Sequence, residues 1–412
     1  MLVFKTKLKP NKNVMKTWLS ALCLSSFFLA QPMLAASTNE TGPTQPENVV
    51  NIDSAVAQNR DDFRLFRKIK MNRDLLNIKM DMRIDFDGAV NQHTKDVAAF
   101  KANAFKLVLQ GDITPNISYL VRQRLNKIGD LGKDNFLAGT DFAFVNFKLG
   151  KGWDLTVGKQ PVQFGTFEFE YNPADVYFYS LPGSSLQGYS TGINAAYTYK
   201  KQQFNFEITD ASGPEFSIPG YDFAFHYSFL WVGDLFNGLW KTRWGYNLTN
   251  VAKNQTTSWY TIGNQFMLGP VNLQLEYMNG DYYQEDFSNV FTLNSVRQNG
   301  PIDMKAENMI FARDQAAIVR AQYNFGKNNE FVMWLKGIYD QRQDKELNAE
   351  VLHRWTGAFV FEYYPFNNTN LNFHFSYGYR YTSLNTAMFS GLPKGNSENM
   401  FITGFRWLFN VN

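Results

Sequence analysis

Arg122 and Arg124 stand two residues apart in a run that alternates apolar and polar residues, Ile117 to Asn126. Residues two apart on an extended strand share a face. Both guanidinium groups therefore point the same way, and such planar forks hold a phosphate or carboxylate through paired hydrogen bonds. Lys241 and Arg243 repeat the spacing. The same geometry also suits a structural role, in which the arginines pair with acids on neighbouring strands, such as Asp141 or Asp154, and stiffen a wall. Both readings stay open on the sequence alone.

Other chemistries find little support. The four histidines are His93, His226, His353 and His374, and His374 with Ser376 is a pair at strand spacing, which is a weak signal. No phosphate-cradling glycine loop, nucleophile elbow or cluster of metal ligands is present in the sequence. The run Asp281-Tyr282-Tyr283-Gln284-Glu285-Asp286 is the one acidic cluster that could attract a divalent cation. On an outer loop such acids are ordinarily solvated. The expectation is a protein with no catalytic residues, no metal and no cofactor.

The elements that must position the arginines are strands. Leu76 to Phe86 alternates strictly, with Leu76, Ile78, Met80, Met82, Ile84 and Phe86 on one face and polar or charged residues on the other. Sixteen such strands follow, at about 74–86, 98–110, 116–126, 139–149, 152–159, 188–200, 202–210, 221–230, 239–249, 258–268, 270–279, 314–325, 330–340, 354–364, 370–382 and 398–409. Every second connection is short and rich in Gly, Pro or Asn, which is turn chemistry. The remaining connections are long, and one spans 280–313.

A soluble sandwich would need polar outward faces. Here Tyr221, Phe223, Phe225, Tyr227 and Phe229 share one face, and Leu371, Phe373, Phe375, Tyr377, Tyr379 and Tyr381 share another. Aromatic content of 17% with a mean hydropathy of −0.34 fits an aromatic outer belt around a polar interior. The fold expected is therefore all-β, a 16-stranded antiparallel transmembrane barrel with short periplasmic turns and longer extracellular loops, in the outer membrane of a Gram-negative bacterium.

Residues 1–36 read as a secretory signal peptide. Lys5, Lys7, Lys9, Lys12 and Lys16 precede an apolar stretch from Trp18 to Ala30, and a small-residue cleavage site ends at Ala36. Met15 is an alternative start. The apolar stretch is about 13 residues, short of the ~20 that a membrane helix needs. The only cysteine, Cys23, falls within it, so the remaining chain has no thiol chemistry. Beyond residue 36 there are 35 basic and 37 acidic residues, so the net charge offers nothing to nucleic acid. Residues 37–73 read as a periplasmic linker with room for a short helix, and 74–412 as the barrel.

Keeping each apolar face toward lipid assigns the other face to the lumen. The inward basic residues are then Lys79, Arg83, Lys106, Arg122, Arg124, Lys241, Arg243, Arg320, Lys336, Arg354, Arg380 and Arg406. Asp81, Asp85, Asp154, Glu207, Asp222, Glu276 and Glu362 oppose them. This excess of cations, with loop acids left aside, implies a weak preference for anions, because fixed charge in a low-dielectric wall enriches the opposite ion.

The segment FKLVLQGDITPNISYLVRQRLNKIGD, residues 105–130, followed by DFAFVNFKLGKGWDLTVGKQPVQFGTFEFEYNPADVYFYS, residues 141–180, resembles the porin O and P family, named after the phosphate-selective porins. Gly158-Lys159-Gln160, Phe164-Gly165 and Asn172-Pro173 fit its pattern. The resemblance implies a sixteen-stranded outer-membrane porin, commonly a homotrimer, whose third extracellular loop folds inward as a constriction. It transfers no named phosphate-binding residue, since no arginine ladder aligns. The loop from 160 to 187 follows the fifth strand and carries Phe164, Phe167, Phe169 and Tyr171 among Glu168, Glu170 and Asp175. Rings so dense are expected to pack on the inner wall, and part of the set could line a sugar path. The chain ends Trp407-Leu408-Phe409-Asn410-Val411-Asn412, so the closing aromatic stands three residues early.

The function expected is passive diffusion of small hydrophilic solutes or ions, with weak anion or phosphate selectivity. The alternative is a structural or adhesion barrel with no transport role. The partners expected are outer-membrane lipid, the barrel assembly machinery and further copies of the chain.

Overall fold

The computed structural model describes residues 75–93, 96–127, 136–212, 221, 223–284, 310–366, 369–385 and 394–411. The expected signal peptide and linker, 1–36 and 37–73, lie outside these, as does Asp222.

Sixteen strands form one closed antiparallel barrel. In chain order they are β1 (Asn77–Asn91), β2 (Val97–Thr114), β3 (Ile117–Arg124), β4 (Thr140–Gly150), β5 (Trp153–Pro161), β6 (Tyr189–Tyr199), β7 (Gln202–Asp210) and β8 (Phe225–Leu235). They continue as β9 (Trp240–Ala252), β10 (Gln255–Leu268), β11 (Val271–Gln284), β12 (Ile310–Phe325), β13 (Phe331–Asp344), β14 (Ala349–Tyr363), β15 (Asn370–Leu384) and β16 (Gly395–Asn410). Each pairs with the next, and β1 closes on β16 with Arg83 opposite Arg406. Closure leaves no unpaired edge, which the hydrocarbon layer demands.

The alternation separates the faces as the sequence predicts. On β8, Phe225, Tyr227 and Phe229 are exposed and His226, Ser228 and Leu230 buried. On β15, Phe373, Phe375, Tyr379 and Tyr381 face out while Asn372, His374 and Ser376 are buried. Phe409 lies against Trp407, ring centroids 4.3 Å apart, near the end of β16. The short turns use left-handed backbone where the geometry requires it. Gly269, with φ +65°, precedes Pro270 in the two-residue link between β10 and β11, where a primed hairpin turn needs positive φ at its first central residue.

Several strands run further than the sequence predicts: β2 and β8 extend into expected short turns, to Thr114 and Leu235, and others extend at the end opposite the short turns. β1 continues past 86 to Asn91, β11 past 279 to Gln284, and β13 past 340 to Asp344, while β12 and β14 begin early at Ile310 and Ala349. Above the lipid an outward residue has no need to be apolar, so the alternation fades before the strand stops. Asp281 therefore belongs to β11 rather than to a 280–313 loop. It accepts hydrogen bonds from Arg313 at 2.7 Å and Lys345 at 2.5 Å, which corrects the reading of its cluster as a solvated loop; residues 285–309 lie outside those described.

Candidate functional site

Between β5 and β6 the chain leaves the wall and packs within the barrel. The inserted loop begins at Val162 and ends at Gly188, one or two residues later than the expected 160–187. It contains a single 3-10 turn at Pro173–Asp175, capped by the Asn172 side chain, and a short helix α1 (Leu181–Ser185) capped by Ser180. Phe164, Phe167, Phe178 and Leu181 are 2% exposed or less, which no loop in open water would allow.

Apolar residues on the inner wall receive them. Val162, Phe164 and Leu186 join Trp259, Met278, Tyr282, Ala312, Ala316, Ile318 and Ile338 in one cluster, against which Phe169 packs. Tyr177 and Phe178 join Val332, Trp334, Ala358 and Val360 in a second. The inner face is thus not uniformly polar, because rings this large need an apolar seat. Close approach is met with glycine: a Cβ at Gly245 would stand 2.5 Å from the Phe164 carbonyl oxygen.

The charged wall residues hold the main chain of this loop. Arg83 donates to the Ala174 carbonyl at 2.9 Å, Arg243 to that of Thr166 at 3.0 Å, Lys336 to that of Phe178 at 2.8 Å, and Arg354 to that of Tyr179 at 3.2 Å. Carboxylates take the amides. Glu207 accepts from the Gln163 N–H at 2.8 Å, Glu276 from Phe167 at 2.6 Å and Glu168 at 3.0 Å, and Asp340 from Leu181 at 2.9 Å. A loop buried without such partners would leave orphaned backbone groups.

All twelve basic residues expected in the lumen occupy inward register positions, and most are already paired. Arg122 and Arg124 both reach Asp141, at 3.0 and 2.8 Å, and Arg122 also lies 3.9 Å from the Phe142 ring centroid and donates to the Tyr189 hydroxyl at 2.7 Å. Of the two readings left open by the sequence, the contacts are those of the wall strut; Asp154 is not among the partners. Arg83 pairs with Asp85 at 2.6 Å, Lys106 with Asp81 at 3.8 Å, Lys336 with Glu168 at 2.7 Å, Arg354 with Asp340 at 2.7 Å, and Arg380 with Glu398 at 3.3 Å. Arg406 pairs with Asp81 at 2.9 Å and with Asp175 of the loop, and Arg243 lies 3.8 Å from Glu170. Glu168, Glu170 and Asp175, placed on the constriction loop by sequence, thus neutralise wall cations.

Lys79 and Arg320 differ. Among the described residues no carboxylate lies within ion-pair distance of Lys79 or Arg320. Lys79 is half-buried near the short-turn end of β1, and Lys241 is half-buried near that end of β9. Arg320 lies between two rings, 4.7 Å from the Tyr171 centroid and 4.4 Å from that of Trp334, and donates to Gln322 at 3.1 Å.

Two tyrosines complete the seat. Tyr177 meets His374 edge to face, centroids 5.0 Å apart, under the Arg83 guanidinium, and donates to Glu362 at 3.2 Å. Burial, with Glu362 beside it, pushes the Tyr177 hydroxyl well above the ordinary tyrosine value and keeps it a donor. Burial raises the Tyr179 hydroxyl likewise.

The sequence reading missed Asp314, Asp340 and Arg342. Arg342 is fully buried and forms a 2.7 Å pair with Asp314, touching the Tyr282 hydroxyl. The signal was present in Ile338, Asp340, Arg342 and Asp344, which keep period two on one face. The opposite face there is Gln341 and Gln343, so no apolar partner series drew attention to it.

A closed sixteen-stranded barrel with an aromatic exterior and its third long loop folded inward defines an outer-membrane channel of the porin class. The family model described as phosphate-selective porin O and P matches residues 76–233. A comparison with curated protein sequences gives no match. Among solved structures, OmpT of Vibrio cholerae is similar at 11% identity, covering 83% of this chain and 99% of its own, with a TM-score of 0.55. The outer membrane channel DcaP of Acinetobacter baumannii shares 11% identity over 81% of this chain and 97% of its own, TM-score 0.55. An anion-selective porin from Comamonas acidovorans shares 11% over 81% and 99%, TM-score 0.54. At such identities the likeness is one of fold.

Proposed function

We propose that the chain is a passive channel for small hydrophilic solutes and ions, narrowed by the 162–188 loop and weakly anion-preferring. The observation that carries this reading is the loop's attachment. Side chains on opposite parts of the wall, from β1, β7, β9, β11, β13 and β14, hold its backbone inside the barrel. A loop so held acts as a fixed eyelet rather than a swinging gate.

The ion preference is slight because nine of the twelve inward cations already face a carboxylate. What remains to attract anions, among the described residues, is Lys79 and Arg320. Phosphate selectivity is not assigned to this chain. A homotrimer is the assembly proposed; one OmpT structure of Vibrio cholerae, similar at 12% identity, is a trimer form. The outward aromatic face would meet lipid, and the barrel assembly machinery would insert it.

No catalytic role is proposed. His374 bonds Asp85 at 2.8 Å and Asn372 at 3.3 Å, and the Ser376 hydroxyl donates to the Ile402 carbonyl at 3.4 Å, so neither faces the other as base and nucleophile.

Folded protein in a planar bilayer should conduct ions, with a reversal potential in a salt gradient displaced slightly toward the anion side. Absence of current would remove the channel reading, and a cation-directed potential would remove the proposed preference.

A further inference from the structure

The inner wall carries an apolar patch that the inserted loop does not use. Lys106 reaches Asn172 of the loop at 2.8 Å, so its side of β2 faces the lumen, and Val108 and Gln110 share that side. Leu120 on β3 stands opposite Gln110, and Phe144 on β4 opposite Leu120, so both face inward as well. Val108, Leu120 and Phe144 are half-buried and belong to neither apolar cluster beneath the loop. The Phe144 ring meets that of Phe142 edge to face, 5.9 Å between centroids, while Phe142 lies under the Arg122 guanidinium. Apolar side chains turned toward a watery lumen are unfavourable until something apolar covers them.

A cation stands beside the patch. Lys79 on β1 is directly opposite Val108, on the same face as Asp81, which accepts from Asn172 of the loop at 2.9 Å. Asp81 is already engaged by Arg406 at 2.9 Å and Lys106 at 3.8 Å. Among the described residues no carboxylate lies within ion-pair distance of Lys79. Neighbouring strands lie about 4.8 Å apart, so the steps from β1 to β4 put the Phe144 backbone about 14 Å from that of Lys79. The lysine stem spans part of that distance, and what is left suits a single ring carrying one carboxylate.

We propose that this corner, on the short-turn side of the constriction, is a transit subsite for small amphipathic monoanions, in which a carboxylate is joined to one apolar ring. The proposal rests on the channel reading and names one class of solute for it. Small-molecule sites are mostly apolar, with a few polar groups that fix orientation. Here Val108, Leu120 and Phe144 would take the ring and Lys79 the carboxylate. Inorganic phosphate would gain nothing from the apolar patch, and a neutral sugar nothing from the charge of Lys79.

The test records single-channel current through the full-length protein in planar bilayers under potassium chloride, with benzoate, acetate or benzyl alcohol added. Benzoate should reduce the current saturably, at lower concentrations than acetate, which has the charge without the ring, or benzyl alcohol, which has the ring without the charge. Lys79→Gln should raise the half-saturating benzoate concentration roughly 2- to 5-fold, the range for a solvent-accessible ion pair. Leu120→Ala should raise it roughly 4-fold, the worth of one methylene removed from water, with the response to acetate unchanged. Val108→Ala should shift it in the same direction, which keeps the test intact if Leu120→Ala does not fold. Acetate as effective as benzoate would overturn the proposal in favour of a plain anion site, and benzyl alcohol as effective would overturn it in favour of an apolar surface that ignores charge. Benzoate block unchanged in Lys79→Gln, or in both apolar variants, would overturn the location. No saturable block by benzoate, with ion current intact, would overturn the proposal alone. No ion current from folded protein would remove the channel reading and this proposal with it.

Discussion

Arg122 and Arg320 are both inward arginines held against aromatic rings, and they end in opposite conditions. Arg122 shares Asp141 with Arg124, covers Phe142 and donates to Tyr189. Arg320 has rings on both faces but no carboxylate among the described residues, and its Nε is unpartnered. A guanidinium with a carboxylate and a hydroxyl at its edges is spent as a strut. One held by its faces keeps edge donors for something that passes. The neighbours of an inward arginine, and not its direction, decide whether it serves the wall or the traffic.

The strut is tested most severely by removing what the two arginines share. Asp141→Ala leaves Arg122, only 4% exposed, without its carboxylate, and should destabilise the barrel by about 3–5 kcal/mol, read from its denaturant midpoint. A loss below about 1 kcal/mol would mean the corner is not a strut. Lys336→Met breaks the buried pair with Glu168 and frees the Phe178 carbonyl, at a similar or smaller cost. Single-channel conductance should rise as the loop loosens; unchanged conductance and stability would mean that the loop does not depend on this anchor.

Arg320→Gln should move the reversal potential toward neutrality more than the double change Arg122→Gln with Arg124→Gln. The reverse order would collapse the distinction between the two arginines. The smallest effect is expected from Tyr177→Phe, which removes one hydroxyl hydrogen bond to Glu362 and should cost about 0.5–1.5 kcal/mol with selectivity unchanged. A larger selectivity shift would place Tyr177 on the solute path.

Strand number and inward register were legible because lipid enforces them. A residue such as Phe375 must face out, and His374 beside it must then face in. The sequence could not show which inward charges were spent. Arg83 meets Ala174 across 91 residues and Lys336 meets Glu168 across 168, and neither separation leaves a local pattern. Strand ends beyond the membrane were obscured for the opposite reason. At Gln341 and Gln343 lipid no longer selects the outer face, so the strand lost its label while its hydrogen bonds continued. The inner apolar seats, such as Trp259 and Ile338, are set by the loop that covers them and not by the strand that bears them.

The grip of the wall on the loop's main chain has a practical consequence. At Gln163, Thr166, Ala174 and Leu181 the wall grasps an amide or carbonyl that every amino acid except proline supplies in full. The eyelet can therefore be re-lettered without being unhooked: side chains turned toward the passage become replaceable parts in a frame that does not read them, and the filter could be retuned by exchanging one residue at a time.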